Sequence, residues 1–333
     1  MSDRASQTYT FDTPTPPSLD VENDNGDILI TCRDIATARV TITALEKRAD
    51  DAVGQTSVDF NTATSKIVVR SPKHRLHSPA LLIEATIPSE SSLAAKTGSG
   101  DVKVEGPIQT LAARTGSGDV EARDTVQTTD IKTGSGDIRL AAVATEATAG
   151  TGSGDIGVES VGANAKLSTG SGDIAVETVG ADASISTGSG EISAGRVGGR
   201  AKLSTGSGNI STTCVGGNLE ASTGSGDLEA GTVDGDTKMG AGSGNIRIER
   251  AGGGVQVKNA SGDIEIGVAA GLLVALDVHT LTGELSSELD ATDAAGPIHG
   301  ERAVDVKARS VSGNIRLHRA GPLSDTTTAD TVR

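Results

Sequence analysis

Aromatic side chains are almost missing from this chain: Tyr9, Phe11 and Phe60 are the only three in 333 residues, and there is no tryptophan. A core organised around large rings is therefore excluded, and any core must be assembled from Ile, Val, Leu and Ala. Cysteine is equally scarce. Cys32 and Cys214 lie too far apart in sequence for a disulfide framework or the short ligand spacing of a structural zinc site. Long apolar runs are lacking as well, since Val268 to Leu276 spans only nine residues, too few to cross a bilayer as a helix. Basic clusters do not occur. With 29 Lys and Arg against 44 Asp and Glu, the net charge is −15, which argues against nucleic acid as a partner. The segment Met1 to Pro17 is polar and proline-bearing, with no apolar stretch that would read as a secretory signal. Taken at face value, these absences describe a soluble, cytoplasmic protein without membrane insertion, although a surface location stays open.

What the chain has in abundance is glycine, 44 residues of it, much of it in one phrase. Thr-Gly-Ser-Gly-Asp begins at Thr97, Thr115, Thr133, Thr151 and Thr169, a spacing of 18 residues. Variants continue on the same beat at Thr187, Thr205, Thr223, Ala241 and Asn259. Ten beats without insertion or deletion require every unit to occupy an equivalent slot, which is the signature of a solenoid.

The residues between the beats select the kind of solenoid. Counting the first residue of each phrase as position one, position six is always aliphatic, from Val102 and Val120 through Ile174 to Ile264. Positions eight and 11 are mostly aliphatic or small, and positions 15 and 17 pair as Ala165 with Leu167 or Val255 with Val257. Steps of two are strand periodicity. An 18-residue unit is also too short for a helix plus a strand with connections. The expected fold is all-β: a single elongated parallel β-solenoid with 18-residue rungs and irregular capping ends. In-register rungs about 4.8 Å apart would make a rod roughly 45 Å long from the strict repeats alone. The 18-residue length suits a three-hexapeptide left-handed coil, but the column spacing does not, and a right-handed or flattened coil is expected.

Five segments follow from this reading: an extension over 1–18, irregular rungs and cap over 19–96, the strict array over 97–266, irregular rungs and cap over 267–320, and a disordered tail over 321–333. Degraded beats are expected at Asn25-Gly26-Asp27-Ile28, Thr64-Ser65-Lys66-Ile67, Thr282-Gly283-Glu284-Leu285 and Ser312-Gly313-Asn314-Ile315. Such drift fits the need to blunt a bare sheet edge at each end.

The phrase itself invites several chemistries. A calcium β-roll uses Gly-Gly-x-Gly-x-Asp, whereas here Asp173 follows Gly172 directly, and Asn209 and Asn245 replace the carboxylate. The expected role of Asp101, Asp119, Asp137, Asp155, Asp173, Glu191, Asn209, Asp227, Asn245 and Asp263 is as structural turn residues whose side-chain oxygens accept backbone N–H bonds. Stacked carboxylates about 5 Å apart repel by roughly 1 kcal/mol in water and about 3 kcal/mol near a protein surface. Calcium should accordingly leave the melting temperature nearly unchanged, while lowering salt should decrease it. Ice binding by Thr and Ser rows is disfavoured by strand parity, which turns both toward the core if the strand continues through the phrase. Glycan processing needs unlike groups brought together, and the array is monotonous. The five histidines, His74, His77, His279, His299 and His318, all fall outside the strict beats, and His74 with His77 lacks an evident third ligand. No catalytic, cofactor-binding or metal site is expected, and no cofactor.

The opening Leu-Asp-Val-Glu-Asn-Asp-Asn-Gly-Asp-Ile-Leu-Ile-Thr over Leu19 to Thr31, followed by the Thr-Gly-Ser-Gly-Asp repeats, resembles the bacterial "putative adhesin" family of β-strand repeats, a domain of unknown function common in actinobacteria. The resemblance spans about Leu19 to Ala320 and implies a β-solenoid throughout, with adhesion as the role attached to the family. The functional expectation is a non-enzymatic scaffold or adhesin-like interaction protein that presents a rigid repetitive surface to a protein or cell-surface partner. A glycan-processing or glycan-binding β-helix is the alternative.

Overall fold

A computed structural model describes residues 4–73, 78–289 and 303–320. His74, His77, His299 and the tail 321–333 lie outside the described residues. Most strict rungs carry two strands joined by two tight corners, whereas Val120–Thr133 and Ile138–Thr151 each run on as a single 14-residue strand. In the rung from Thr151, one strand runs over Ile156–Val161 and the other over Ala165–Thr169. Successive rungs pair in parallel at an offset of 18 residues: Ile156 faces Ile174, Ile174 faces Ile192, and Ala165 faces Ala183. The result is an all-β solenoid with two stacked-strand faces around one core.

Columns six, eight, 11, 15 and 17 all turn inward, as Ile174, Val176, Val179, Ala183 and Ile185 show. Two consecutive outward residues at positions nine and ten, such as Glu177 and Thr178, let the strand bend between its inward columns. Small aliphatics suffice here because each side chain is covered by its own copies above and below, so packing is set by repetition rather than by ring size. Cys32 is part of this core, and burial pushes its thiol up to about 12, with a smaller contribution from Asp124. Neither cysteine is bonded to the other.

The N-terminal end departs from pure parallel stacking. Strands β1 (Ser6–Asp12), β2 (Ser18–Asn23), β3 (Ile28–Arg33), β4 (Thr37–Ala44), β5 (Ser57–Asn61), β6 (Lys66–Arg70) and β7 (Leu81–Pro88) build it. The β2–β3 rung sits between the outer β6 and β7 on one side and the first strict rung, Ser92–Thr97 and Val102–Glu105, on the other. Beyond it the direction reverses. β4 pairs antiparallel with β7, β1 pairs antiparallel with β4, and β5 pairs antiparallel with β6. A short helix α1 (Asp50–Gln55) buries Ala52 and Val53 against this end. The rare aromatics are spent here: Phe11 of β1 and Phe60 of β5 pack with ring centroids 5.1 Å apart across the mouth of the core.

Two expectations about the ends need correction. Thr64-Ser65-Lys66-Ile67 is not a degraded beat: it closes the β5–β6 hairpin with Ser65 at φ 48°, and Ile67 faces Leu19 in column 15 rather than column six. The downstream beats are real but stack out of sequence order. The rung of Ala303–Ser312 and Ile315–Arg319 lies between Val255–Val268 and the terminal rung, Leu273–Thr282 with Leu285–Ser287. The later rung therefore has both edges paired, and the earlier one is left outermost.

Candidate functional site

The repeated corner brings the same polar groups together along most of the rod. In the rungs up to Thr205 the strand ends at the threonine, which stays buried, as at Thr169 and Thr187. Its hydroxyl does two jobs. Thr169 Oγ1 accepts from Gly172 N at 3.2 Å and donates to Gly154 O of the preceding rung at 2.9 Å. The chain then bends, so Ser171 points to solvent rather than toward the core. Unbroken strand parity therefore holds for the threonines and fails for the serines, because the bend after position one resets the alternation.

The acidic position makes a ladder between rungs. Asp173 N donates to Asp155 Oδ1 at 2.8 Å, Asp155 N to Asp137 Oδ1 at 2.9 Å, and Asp137 N to Asp119 Oδ1 at 2.8 Å. The ladder begins at Asp27, which accepts from Asp101 N, and ends at Asn314, which accepts from Glu284 N. Asn209 and Asn245 serve equally, accepting from Asp227 N and Asp263 N through Oδ1. The side chain thus ties one rung to the next rather than closing its own turn. Glu191 interrupts the series: its own N–H donates to Asp173, but its longer side chain takes no bond from Asn209 N among the described residues.

Using one oxygen per carboxylate on a backbone N–H offsets part of the repulsion along the row. Cations take up the other oxygen near the N-terminal end, where Arg139 lies 2.6 Å from Asp137 and 3.9 Å from Asp119. Among the described residues no group of three or more His, Cys, Asp or Glu is arranged to hold a metal ion. Replacing Asp173 by Asn should leave stability within about 0.5 kcal/mol, since Oδ1 is retained, whereas Asp173→Ala should cost about 1 kcal/mol. Urea denaturation of the two variants measures the difference.

A second ladder at position 14 escaped the sequence reading. Arg200 N donates to Asp182 Oδ1 at 2.8 Å, Asp236 N to Asn218 Oδ1 at 3.0 Å, and Gly254 N to Asp236 Oδ1 at 2.9 Å. The signal was present as Asn164, Asp182, Asn218 and Asp236 on the 18-residue beat. Arg200 masks it, because a guanidinium has no acceptor.

The corner changes form from Thr223 onward. Gly226 and Gly244 adopt φ of 149° and 133°, and their N–H groups turn to Ser243 O and Ser261 O of the following rung. Position one is no longer threonine at Ala241 and Asn259, so the hydroxyl acceptor used earlier is gone there. Asn259 Nδ2 instead donates to Gly244 O and Gly262 O, at 2.8 and 3.0 Å.

Outward side chains form straight files. On the face of Ala165–Thr169, position 16 brings Lys166, Lys202, Glu220 and Lys238 into one line. Lys238 lies 3.0 Å and Lys202 3.9 Å from the Glu220 carboxylate, and the hydrogen bond from Lys238 holds that carboxyl below its usual range. A shallow groove crosses this file, lined by Arg200, Glu220, Asp236, Lys238, Gln256 and Lys307. No helix among the described residues is long and apolar enough to cross a membrane.

Solved structures similar to this chain include a "putative adhesin" from Parabacteroides distasonis, at 13% identity and TM-score 0.31, covering 95% of this chain and 98% of that one. A "putative cell adhesion protein" from Clostridium sporogenes gives 8% identity and TM-score 0.25, with 95% and 100% covered. A "putative lipid binding protein" from Parabacteroides distasonis gives 10% identity and TM-score 0.25, with 94% and 96% covered. No curated protein matches the chain. The family described as Toastrack DUF4097 matches residues 17–232 and again 181–318, so nearly the whole solenoid is accounted for and the chain belongs to that family.

Proposed function

We propose that this protein is a non-enzymatic scaffold that displays files of outward side chains, at one-rung spacing, to a protein or cell-surface partner. The observation that carries this reading is how the polar groups divide between structure and surface. Much of the corner's hydrogen-bonding capacity is turned onto the rod itself: the corner threonine hydroxyls, and one oxygen of most corner Asp and Asn side chains, bond to neighbouring rungs. Outward positions change in charge and size from rung to rung, as Lys166, Ser184, Lys202 and Glu220 do within one file. A catalytic site needs unlike groups converging at one place. The strict rungs instead repeat a closely similar arrangement, and in the position-16 file Lys202 and Lys238 both lie against Glu220.

The groove around Glu220, Lys238 and Gln256 gives a specific reason to keep glycan binding as a second reading, because its lining is polar and open. Both readings are tested with the full chain immobilised and offered intact bacterial cells, then soluble glycans. The scaffold reading expects capture of cells, weakened about tenfold when Lys166, Lys202 and Lys238 are all changed to Glu. Saturable binding of a soluble glycan, abolished by Gln256→Ala, would favour the second reading. Turnover of a glycan would overturn the first.

A further inference from the structure

The two ends of the rod are finished differently. At the N-terminal end, β4 lies antiparallel on β7 and continues the core columns with Ala38, Val40, Ile42 and Ala44, all fully buried. The C-terminal end has no such strand among the described residues. There the ten-residue strand Leu273–Thr282 pairs on one edge only, with Ala303–Ser312. The core columns run out uncovered: Leu276 stacks on Val306 yet is 46% exposed, and Leu285 stacks on Ile315 yet is 53% exposed. Leu281, at the position-two slot that holds glycine in nine strict rungs and Ala260 in the tenth, is 78% exposed.

We propose that a second copy of this chain covers this end, with Leu273–Thr282 pairing antiparallel with its own counterpart about a two-fold axis through Val278. This goes beyond the scaffold reading, which concerns the lateral faces. Three observations favour a second copy. First, the fold already closes its other end with an antiparallel strand, so antiparallel pairing fits the end of this coil. Second, a free edge of this length templates pairing with another chain, and an isologous contact closes after two copies.

Third, the side chains match in one register. Inward residues must face inward residues, and a slip of one would break that. With Val278 on the axis, Leu276 faces Thr280 of the second copy, Ala275 faces Leu281, and Asp277 faces His279, twice by symmetry. Shifting the axis to Asp277 would instead set Asp277 against its own copy, where like charges face each other. Within one chain, Asp277 already lies 2.9 Å from His279 and 3.5 Å from Arg309, so the carboxylate would face the imidazole N–H of the second copy as well as its own partners. The dimer is a rod of double length with both N-terminal caps pointing outward.

Sedimentation velocity of the full 333-residue chain over a concentration series tests this. The expected result is a reversible species of twice the 33.3 kDa chain mass. Leu276→Lys should abolish it, Asp277→Lys should weaken it at least tenfold, and the swap Asp277→Lys with His279→Asp should restore most of it. Thr10→Lys, on β1 at the opposite end, should leave it unchanged. A chain that stays monomeric would mean that its own residues or another protein cover the end, and would overturn the proposal. So would association that grows without limit, or a dimer indifferent to both Leu276→Lys and the charge swap. Should Leu276→Lys fail to fold, the Asp277 and His279 variants decide alone, because they alter exposed charges without touching a core column.

Discussion

Gly172→Ala is expected to destabilise the rod by on the order of 4 kcal/mol or to prevent folding, although it adds a single methyl group. A Cβ built on Gly172 would lie 1.9 Å from Gly154 O and 2.5 Å from Gly154 C of the preceding rung. Both are backbone atoms, so no side chain can swing away, and the corner has to separate from its neighbour. That separation would also strain the Thr169 bonds to Gly172 N and Gly154 O and the ladder bond from Asp173 N to Asp155. Gly157→Ala is the matched control. A Cβ there meets nothing within 4 Å, and its outward strand position favours Ala over Gly, so stability should stay within about 0.5 kcal/mol. Thermal and urea unfolding of the pair, with circular dichroism to confirm the native state, measures the contrast. Equal effects at the two positions would refute the close-approach explanation.

Removing one residue should be worse than removing 18. Deletion of Ser184 leaves Ala183 and Ile185 adjacent, and both cannot face inward in a continuous strand. Either Ile185 goes to solvent, forfeiting about 1.5–3 kcal/mol of burial, or a corner already packed against its neighbours must supply the missing residue. The five registered pairs that Ala183–Thr187 makes with each flanking strand slip with it. Together these losses should reach roughly 5 kcal/mol, comparable to the whole stability of a marginal domain. Excision of 169–186, by contrast, joins Ser168 to Thr187 on the beat and stacks Ile156 on Ile192 and Leu167 on Leu203. Because each rung touches only its neighbours, the shortened rod should fold cooperatively and melt within a few degrees of the parent. Differential scanning calorimetry of the two deletions distinguishes these outcomes, and a shortened rod that fails to fold would show that rungs are not independent units.

The array could be read from sequence because repetition averages the signal. Columns six, eight, 11, 15 and 17 were legible as inward, since Ile, Val, Leu and Ala recur there over ten beats and burial is the main reason for such recurrence. The corner acids were legible as hydrogen-bond acceptors from the Asn substitutions at 209 and 245. What they bond to was not, because Asp155 and the N–H of Asp173 are 18 residues apart and meet only when one rung lies on the next. The exposed serines were misjudged for a related reason: whether a strand continues past Thr169 depends on the glycine corner and its neighbouring carbonyl, not on alternation within one unit.

The ends were the least legible. Nothing in Leu273–Thr282 announces that a later segment, Ala303–Ser312, will take the slot beneath it. Nor does β4 announce that it runs antiparallel to β7. By itself the sequence determined the period, the inward columns and the all-β parallel coil, since these follow from side-chain chemistry repeated at fixed spacing. The tertiary structure decided the order of the end rungs, the antiparallel closure at one end and the open edge at the other. Those depend on which backbone N–H and C=O groups remain unpaired once the rungs are stacked, and pairing between distant segments leaves no periodic trace in either of them.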